Sequence, residues 1–173
     1  MSHMEREKHN LPYTICFIQT GDKMLMVHRK KRPNKNLWNG LGGKIEESEN
    51  PQESVVREIM EESGLDLTKA EKLTYSGVVL WAEFVNGEET VTGGMHAYIA
   101  TFEDESVVFD SRATREGNLE WKPISWILDE SNVDVVSNVP LFLSHMMKHE
   151  EPHEHCFVYN RREIVRHKVR KLS

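Results

Sequence analysis

The sequence predicts an α/β fold of the α+β type, an α/β/α sandwich in which helices cover both faces of one mixed β-sheet. Three observations support this prediction: strand-like segments predominate, tight turns join neighbouring strands, and a few amphipathic segments have helical periodicity. With 173 residues, 38% of them apolar, the chain is long enough for one domain with an ordinary core. We expect residues 10–160 to form that domain.

The first predicted elements are two strands over residues 13–20 and 23–28. Both segments are typical of β-structure, and Gly21-Asp22 between them indicates a hairpin turn. A basic loop that contains Pro33 follows and leads to a glycine-rich segment. The chain is therefore expected to open with two paired strands and a loop before its first helix.

The first predicted helix begins at Asn50, which can cap it, with Pro51 in the first turn and Glu53 completing a capping box. It is expected to end near Ser63, because Gly64 can adopt the left-handed conformation that stops a helix. Its apolar residues have helical spacing and predict a packed face, which comprises Val55, Val56, Ile59 and Met60.

The second half of the chain is predicted to alternate strands and helices. The predicted strands are residues 73–84, 91–102, 119–124 and 156–159, and the predicted helices are residues 125–130 and 139–148. Asn86-Gly87 indicates a hairpin between the first two of these strands. The basic segment 161–173 has apolar residues at near-helical spacing, so we expect a helix docked on the domain. Contact of this segment with nucleic acid or a membrane is the alternative.

Composition excludes several functional classes. The net charge of −6 argues against a stable nucleic-acid complex. Cys16 and Cys156 form no C-x-x-C motif, so neither a disulfide framework nor a cysteine zinc site is indicated, and a reducing, cytoplasmic location is expected. No apolar run approaches the roughly 20 residues of a membrane span. Residues 1–9 are expected to be a flexible N-terminus whose MSHM start resembles a cloning scar. The sequence makes no prediction of an oligomeric state.

One motif dominates the chain. Residues 43–65 read GKIEESENPQESVVREIMEESGL and match G-x5-E-x7-R-E-U-x-E-E-x-G-U, where U is aliphatic, without a gap. Fewer than about one in a million chains of this length would contain such a match by chance. The pattern places Glu58, Glu61 and Glu62 at i, i+3 and i+4 on one face of the predicted helix.

Three carboxylates on one helix face repel one another at neutral pH. A divalent cation removes this conflict, and all-oxygen ligation favours Mg²⁺, with Mn²⁺ as a substitute. Because Mg²⁺ also binds phosphate oxygens, the acidic face is a candidate phosphate site. A solvated acidic surface is the alternative. Gly42 and Gly43, which allow close backbone approach, and Arg57, which can orient a carboxylate by bidentate hydrogen bonds, favour the metal site.

The motif resembles the signature sequence of the Nudix hydrolases, enzymes that cleave nucleoside diphosphates linked to another moiety with Mg²⁺ and water. The resemblance implies a Nudix-type sandwich and a set of metal ligands, namely Glu58, Glu61, Glu62 and the carbonyl of Gly42. It also implies that Arg57 orients these groups. The general base is expected to be a glutamate of the motif, with Glu58 preferred and Glu62 next.

Segments outside the motif resemble the MutT-type members of this family, which hydrolyse oxidised purine nucleotides. WNGLGGK, at residues 38–44, is similar to their base-binding segment. The similarity implies that Asn39 hydrogen-bonds the base and that Gly43 and Lys44 also contact the substrate.

Two later segments extend the resemblance. REGNLEW, at residues 115–121, implies that Glu116 is a fourth carboxylate near the metal. SNVP, at residues 137–140, implies that Asn138 at the start of a helix reads the edge of the base. Arg29 is expected near the sugar and the base.

An asparagine amide carries both a donor and an acceptor, so it can match O6 and the protonated N7 of 8-oxoguanine, where intact guanine has only acceptors. A turn role for Asn39 and a helix cap for Asn138 are the alternatives. We expect a Mg²⁺-dependent pyrophosphohydrolase of a nucleotide such as 8-oxo-dGTP, which releases the monophosphate and pyrophosphate. Other substrates, namely an undamaged NTP, a dinucleoside polyphosphate or an RNA 5′ end, and a non-catalytic nucleotide-binding role are the alternatives.

Two further clusters of polar residues were weighed. The basic loop at residues 29–35 is a candidate contact for the triphosphate, with a merely solvated loop as the alternative. Residues of zinc-binding type occur together at His145, His149, His153, His155 and Cys156. Because Pro152 interrupts that set, a polar connection without a metal is expected there.

Overall fold

A mixed β-sheet of ten strands forms the framework of the protein in a computed structural model that describes residues 11–172. The strands are β1 Tyr13–Thr20, β2 Lys23–Arg29, β3 Trp38–Asn39, β4 Leu41–Lys44, β5 Lys72–Val85, β6 Glu88–Thr101, β7 Arg112–Ala113, β8 Gly117–Pro123, β9 His153–Asn160 and β10 Glu163–Lys171. The helices are α1 Pro51–Ser63, α2 Ile124–Ile127 and α3 Val139–Lys148. Residues 1–9, for which a flexible terminus was predicted, lie outside the described residues.

The sheet contains both parallel and antiparallel neighbours. Its strand order is β10-β9-β5-β6-β1-β2-β8-β7, with β3 paired to β2 and β4 paired to β1. The pairs β1–β6 and β5–β9 are parallel, and the other paired strands are antiparallel. The predicted mixed sheet is therefore confirmed.

Hydrophobic side chains on the two faces of the sheet pack against different helices. Ile15 and Phe17 of β1 point to the face that α3 covers, where they join Phe142 in one core cluster. Cys16 and Ile18 alternate to the opposite face and pack with Val55 and Ile59 of α1. These two clusters give the α/β/α sandwich that the sequence predicts. Within residues 11–172 no helix is long and apolar enough to cross a membrane.

Helix α1 has the boundaries predicted from its capping residues. Asn50 Oδ1 accepts a hydrogen bond from the Glu53 amide at 2.8 Å, and the Asn50 amide donates to Glu53 Oε1 at 3.1 Å. At the other end Gly64 has φ 76° and donates its N–H to the Met60 carbonyl. Both predicted caps are confirmed, and they fix which side of the helix faces the core and which side presents carboxylates.

Two differences from the predicted elements concern the region after β8. The helix expected over residues 125–130 is only the single turn Ile124–Ile127. It stops early because Asp129 Oδ1 accepts from the Ser131 amide at 3.0 Å, a local contact that favours a turn over continued helix. The strand predicted at residues 156–159 is longer, His153–Asn160, and it is followed by a further strand.

The prediction of a C-terminal helix was wrong, because the segment forms strand β10. Arg161 has φ 61°, which reverses the chain after β9 and lets β10 pair with it as a hairpin. Cationic side chains of β10 bond to acidic residues of neighbouring strands: Arg166 and Lys168 pair with Glu89, and Arg170 pairs with Glu154. These ion pairs leave less free positive charge for a nucleic-acid contact than the sequence suggests.

Candidate active site

Arg57 connects helix α1 to the loop before it. Its Nε and Nη2 donate to the two carboxylate oxygens of Glu49 at 2.6 and 2.8 Å, and Nη2 also donates to the Lys44 carbonyl at 3.2 Å. Its Nη1 donates to Glu58 at 3.0 Å and to Glu61 at 3.3 Å. The bidentate partner is thus Glu49, and these hydrogen bonds hold the pKa of Glu49 at about 2. One guanidinium orients three carboxylates.

Glu58 and Glu62 lie one helical turn apart and hydrogen-bond to each other. Burial, followed by the charges of Glu58 and Glu116, raises the pKa of Glu62 to about 8. Burial also raises the pKa of Glu58, while the hydrogen bond from Arg57 opposes that rise. Burial and mutual repulsion thus both disfavour the charged forms of Glu58 and Glu62.

Glu116 joins the acidic face from the start of β8. Its Oε2 lies 3.7 Å from Nη2 of Arg29, and its charge acts on Glu62. Arg29 also donates Nε to the Pro33 carbonyl at 2.8 Å, which holds its side chain at this edge of the sheet. The structure therefore places Arg29 beside Glu116, and its expected position near the sugar and the base stays a prediction.

The donor set fits a hard divalent cation by its chemistry. Glu58, Glu61, Glu62 and Glu116 offer only oxygen ligands, which Mg²⁺ and Mn²⁺ prefer. Among the described residues no three side chains of Asp, Glu, His or Cys already surround one point where an ion could be held. The reason is that Glu58 and Glu62 bond to each other and Glu61 bonds to Arg57. Mg²⁺ usually takes one or two carboxylates together with waters and phosphate oxygens, so such a prearranged cage is not required.

Gly42 and Gly43 lie in β4, where no larger residue would fit. A Cβ atom added at Gly43 would overlap the carboxylate of Glu58, and one added at Gly42 would overlap the Thr14 carbonyl of β1. The two glycines thus let β4 pass directly beneath the acidic face. Lys44 follows at the end of β4, with an exposed side chain whose partners do not include any described carboxylate.

We expect Gly43→Ala to lower kcat/KM tenfold to 100-fold, because displacing a reacting group by about 1 Å has effects of that size. The new methyl group must push the Glu58 carboxylate away from its place. Steady-state kinetics and thermal unfolding of the variant measure this. Gly87→Ala serves as the control. Nothing lies within 4 Å of the Cβ that it adds, so kcat/KM should stay unchanged, but the φ of 80° at this position strains an alanine, so the Tm should fall. Unchanged kinetics in Gly43→Ala would contradict the prediction.

Asn39 and Asn138 each follow a parallel backbone contact between Trp38 and Val135. The Trp38 amide donates to the Asp134 carbonyl at 2.8 Å, and the Val136 amide donates to the Trp38 carbonyl at 3.0 Å. The two segments run in the same direction, so both asparagines follow this contact toward the same end of the sheet. The tertiary structure thus joins the segment that precedes Asn39 to the segment that precedes Asn138.

In each of these asparagines one of the two polar atoms of the side-chain amide has no partner among the described residues. Asn39 Oδ1 accepts from the Gly40 amide at 2.9 Å, which leaves its Nδ2 free. Asn138 Nδ2 donates to Tyr159 Oη at 3.2 Å, which leaves its Oδ1 free. Asn138 makes no capping hydrogen bond, so the helix-cap alternative is wrong for it. The contact of Asn39 with Gly40 is the local one expected of a turn residue.

Sequence reasoning missed Tyr159. The residue lies near the end of β9, where its strand was predicted but no role was assigned to it. Its contact with Asn138 joins residues 21 positions apart and depends on how β9 lies beside α3. No local pattern could have indicated that contact.

A cluster of histidines lies apart from the acidic face. His145 Nδ1 and His155 Nε2 are 3.1 Å apart, and His155 Nδ1 lies 2.9 Å from His167 Nε2. His149 and His153 pack their rings against His145. Cys156 points to the other face of β9, as strand alternation requires, and packs with another apolar cluster. Among residues 11–172 no three side chains of His, Cys, Asp or Glu are arranged so that they could hold a metal ion.

Comparisons with known proteins agree with this geometry. The family model for the NUDIX domain matches residues 9–134. The chain is 29% identical over 136 residues to the uncharacterized Nudix hydrolase YvcI of Bacillus subtilis, a match that covers 78% of each protein. It is 31% identical over 77 residues to the oxidized purine nucleoside triphosphate hydrolase of Mus musculus, covering 44% of this chain and 47% of that protein.

A solved structure shows the same fold. The crystal structure of the MutT protein from Bacillus halodurans superposes with a TM-score of 0.71 at 22% identity, and the match covers 91% of this chain and 95% of that one. The family match spans most of the described residues and includes the whole glutamate motif with its arginine and glycines. The chain therefore belongs to the Nudix family and is a hydrolase that acts on pyrophosphate bonds.

Proposed function

We propose that the protein is a Mg²⁺-dependent pyrophosphohydrolase of oxidised purine nucleoside triphosphates such as 8-oxo-dGTP, with nucleotide-pool sanitation in the cytoplasm as its role. One observation carries this proposal: Asn138 has a free acceptor, Oδ1, and Asn39 has a free donor, Nδ2, and both residues follow the parallel backbone contact between Trp38 and Val135. The name of the mouse relative, an oxidized purine nucleoside triphosphate hydrolase, supports the same substrate class.

The base provides the matching groups. Oxidation of guanine at C8 converts N7 from an acceptor into an N–H donor, flanked by the acceptors O6 and O8. Asn138 Oδ1 can accept from this N–H, and Asn39 Nδ2 can donate to a neighbouring carbonyl oxygen. Intact guanine would place its N7 acceptor against the acceptor of Asn138. Such a mispaired buried group costs about 1 to 3 kcal/mol, which gives the site its selectivity.

The chain supplies the catalytic groups on the acidic face. Glu58, Glu61, Glu62, Glu116 and the carbonyl of Gly42 would hold Mg²⁺, which when bound supplies polarisation of phosphate oxygens and of water. Arg57 fixes the carboxylates in place by the hydrogen bonds described above.

Glu58 is the preferred general base. Of the Glu58 and Glu62 pair, Glu58 accepts the hydrogen bond from Arg57 Nη1, which opposes the rise of its pKa and favours its ionised form. An ionised carboxylate can take the proton of the attacking water. Water oxygen then bonds in line to an internal phosphorus, the bridging P–O bond breaks, and pyrophosphate leaves as the monophosphate forms. Arg29 and Lys44 add positive charge beside the phosphates.

A second candidate substrate is a longer polyanion such as an RNA 5′ end. Four cationic side chains of the loop between β2 and β3 are exposed and have no carboxylate partner among the described residues: Lys30, Lys31, Arg32 and Lys35. Exposed unpaired cations near an acidic metal site favour phosphate-rich ligands. A role in binding alone is disfavoured, because the three motif glutamates are all present.

A substrate panel tests the proposal. With Mg²⁺ present, we expect kcat/KM for 8-oxo-dGTP to exceed that for dGTP by about 5-fold to 150-fold, the factor that 1 to 3 kcal/mol represents. Asn39→Ala and Asn138→Ala should each lower this ratio. Gln52→Ala, which removes an exposed amide from α1, is the matched control and should keep it. Equal kcat/KM values for the two nucleotides, or a higher value for a triphosphorylated RNA end, would overturn the proposed substrate class. The assignment of the protein as a hydrolase would stand.

A further inference from the structure

We propose that Tyr159 is a positioning residue that holds the amide of Asn138 with its base-reading edge toward the substrate. The inference rests on the proposed function, because it names the residue on which selectivity by Asn138 depends. Tyr159 is not expected to touch the phosphates or the carboxylates, so its effect should be confined to choice of base.

The first support is the isolation of Asn138. The residue is 7% exposed, and its side chain makes no bond to the backbone of α3 although it occupies the cap position. Its contact with Tyr159 Oη, at 3.2 Å, is the one hydrogen bond of this side chain within the described residues. The orientation of the amide therefore depends on a single partner.

The second support is that strand pairing and packing fix the position of Tyr159. The residue belongs to β9, which pairs with β5 on one side and with β10 on the other, so that Tyr159 lies opposite Glu83 and Ile164. Its ring packs against the core that α3 covers. Burial raises the pKa of Tyr159, so the hydroxyl stays neutral throughout the physiological range. A fixed neutral hydroxyl is a suitable acceptor for an amide N–H.

The third support is the geometry of an amide group. Its nitrogen carries two hydrogens, one on the side of the carbonyl oxygen and one directed away from it. When the outer hydrogen bonds to Tyr159, the inner hydrogen and Oδ1 form an edge with a donor beside an acceptor. That edge matches O6 and N7–H of 8-oxoguanine. Without the anchor, the broad terminal torsion of asparagine lets the donor and the acceptor exchange places.

The test is Tyr159→Phe, which removes one oxygen atom and keeps the ring. We expect the ratio of kcat/KM for 8-oxo-dGTP to that for dGTP to fall about threefold to tenfold, the factor that corresponds to one net hydrogen bond. The kcat/KM for dGTP and the Tm should stay close to their wild-type values. If Tyr159 had a merely structural role, Tyr159→Phe would lower the Tm and the activity toward both nucleotides. Tyr13→Phe is the control, since it deletes an exposed hydroxyl for which no described residue is a partner.

A double-mutant cycle completes the test. If Tyr159 acts through Asn138, Asn138→Ala combined with Tyr159→Phe should be no less selective than Asn138→Ala alone. Additive losses of selectivity in the double variant would overturn the proposal. Unchanged selectivity in Tyr159→Phe would also overturn it, provided that the wild type is selective. Both results leave the proposed function intact. A wild-type enzyme that shows no preference for 8-oxo-dGTP would overturn the proposed function and this inference together.

Discussion

Glu58→Gln is expected to lower kcat by about 10²-fold to 10⁴-fold, the range typical of removing a general base. Glutamine has nearly the same shape, so it can still accept the hydrogen bond from Arg57 Nη1 that the structure shows at 3.0 Å. It cannot take a proton from water or supply a charged ligand. The expected result is therefore a loss of turnover in a protein that remains folded.

Glu62→Gln is expected to reduce turnover as well, but to leave the metal-free protein as stable as wild type. The pKa of Glu62 is raised to about 8, so its side chain is largely protonated at pH 7, and a neutral amide can replace it as the donor to Glu58. Single-turnover and steady-state kinetics at saturating Mg²⁺ measure the loss. Glu47→Gln is the control: it removes an exposed carboxylate from the loop before α1 and should leave turnover unchanged. Full turnover in both Glu58→Gln and Glu62→Gln would show that the proposed mechanism is wrong.

Acidification from pH 7.5 to pH 5 is expected to lower the free energy of unfolding by about 2 kcal/mol through His155 alone. Burial, together with the charges of the neighbouring histidines, lowers the pKa of His155 from 6.5 to about 3. Because the folded pKa lies below the unfolded one, the unfolded chain takes up the proton first as the pH falls. The stability is complete above pH 6.5 and is lost progressively from there toward pH 3. At pH 4 the loss reaches about 3 kcal/mol.

The surroundings of His155 explain why its protonated form is disfavoured in the folded protein. Each of its ring nitrogens faces another imidazole, that of His145 or that of His167, and each such contact holds one proton. Burial lowers the pKa of both of these neighbours too, so they add to the loss. The remaining charged or titratable groups around the cluster are His149, His153, Lys148 and Glu151.

Denaturant unfolding at a series of pH values measures this dependence. His155→Gln is expected to flatten the fall in unfolding free energy between pH 7.5 and pH 5. Leu143→Ala destabilises helix α3, which carries His145, without removing a titratable group, and it should keep the wild-type slope. The same slope in His155→Gln and wild type would contradict the prediction. Measuring differences between variants cancels the titration of Glu62, which falls in the same range.

Local sequence signals predicted helix α1 and its caps well. Asn50, Glu53 and Gly64 act within a few residues of one another, so the chain alone determines where α1 begins and ends. The helical period then determines that Glu58 and Glu62 share a face. Asn86-Gly87 likewise forms its predicted turn, with φ values of 52° and 80°, because those backbone conformations suit these two residue types.

Tertiary contacts decided what the local signals could not. The apolar spacing after Arg161 is compatible with a helix, yet the free edge of β9 offers backbone hydrogen bonds along the whole of β10. Arg29 lies beside Glu116, a partner that is distant in the sequence and comes from the segment before β8. Neither outcome can be read from residues close in sequence.

The parallel pairing of β9 with β5 implies that the contact of Asn138 with Tyr159 forms at a later stage of folding than helix α1 and strand β4. Strand β4, which carries Gly42, pairs with its near neighbour β1. The contact of Asn138 with Tyr159, in contrast, requires β9 to be laid beside β5, a pairing that joins Gly77 to His153. Long-range parallel pairing closes large loops and is intrinsically slow. A chain emerging from the ribosome would thus form helix α1 and strand β4, with their glutamates and glycines, before Asn138 can reach Tyr159.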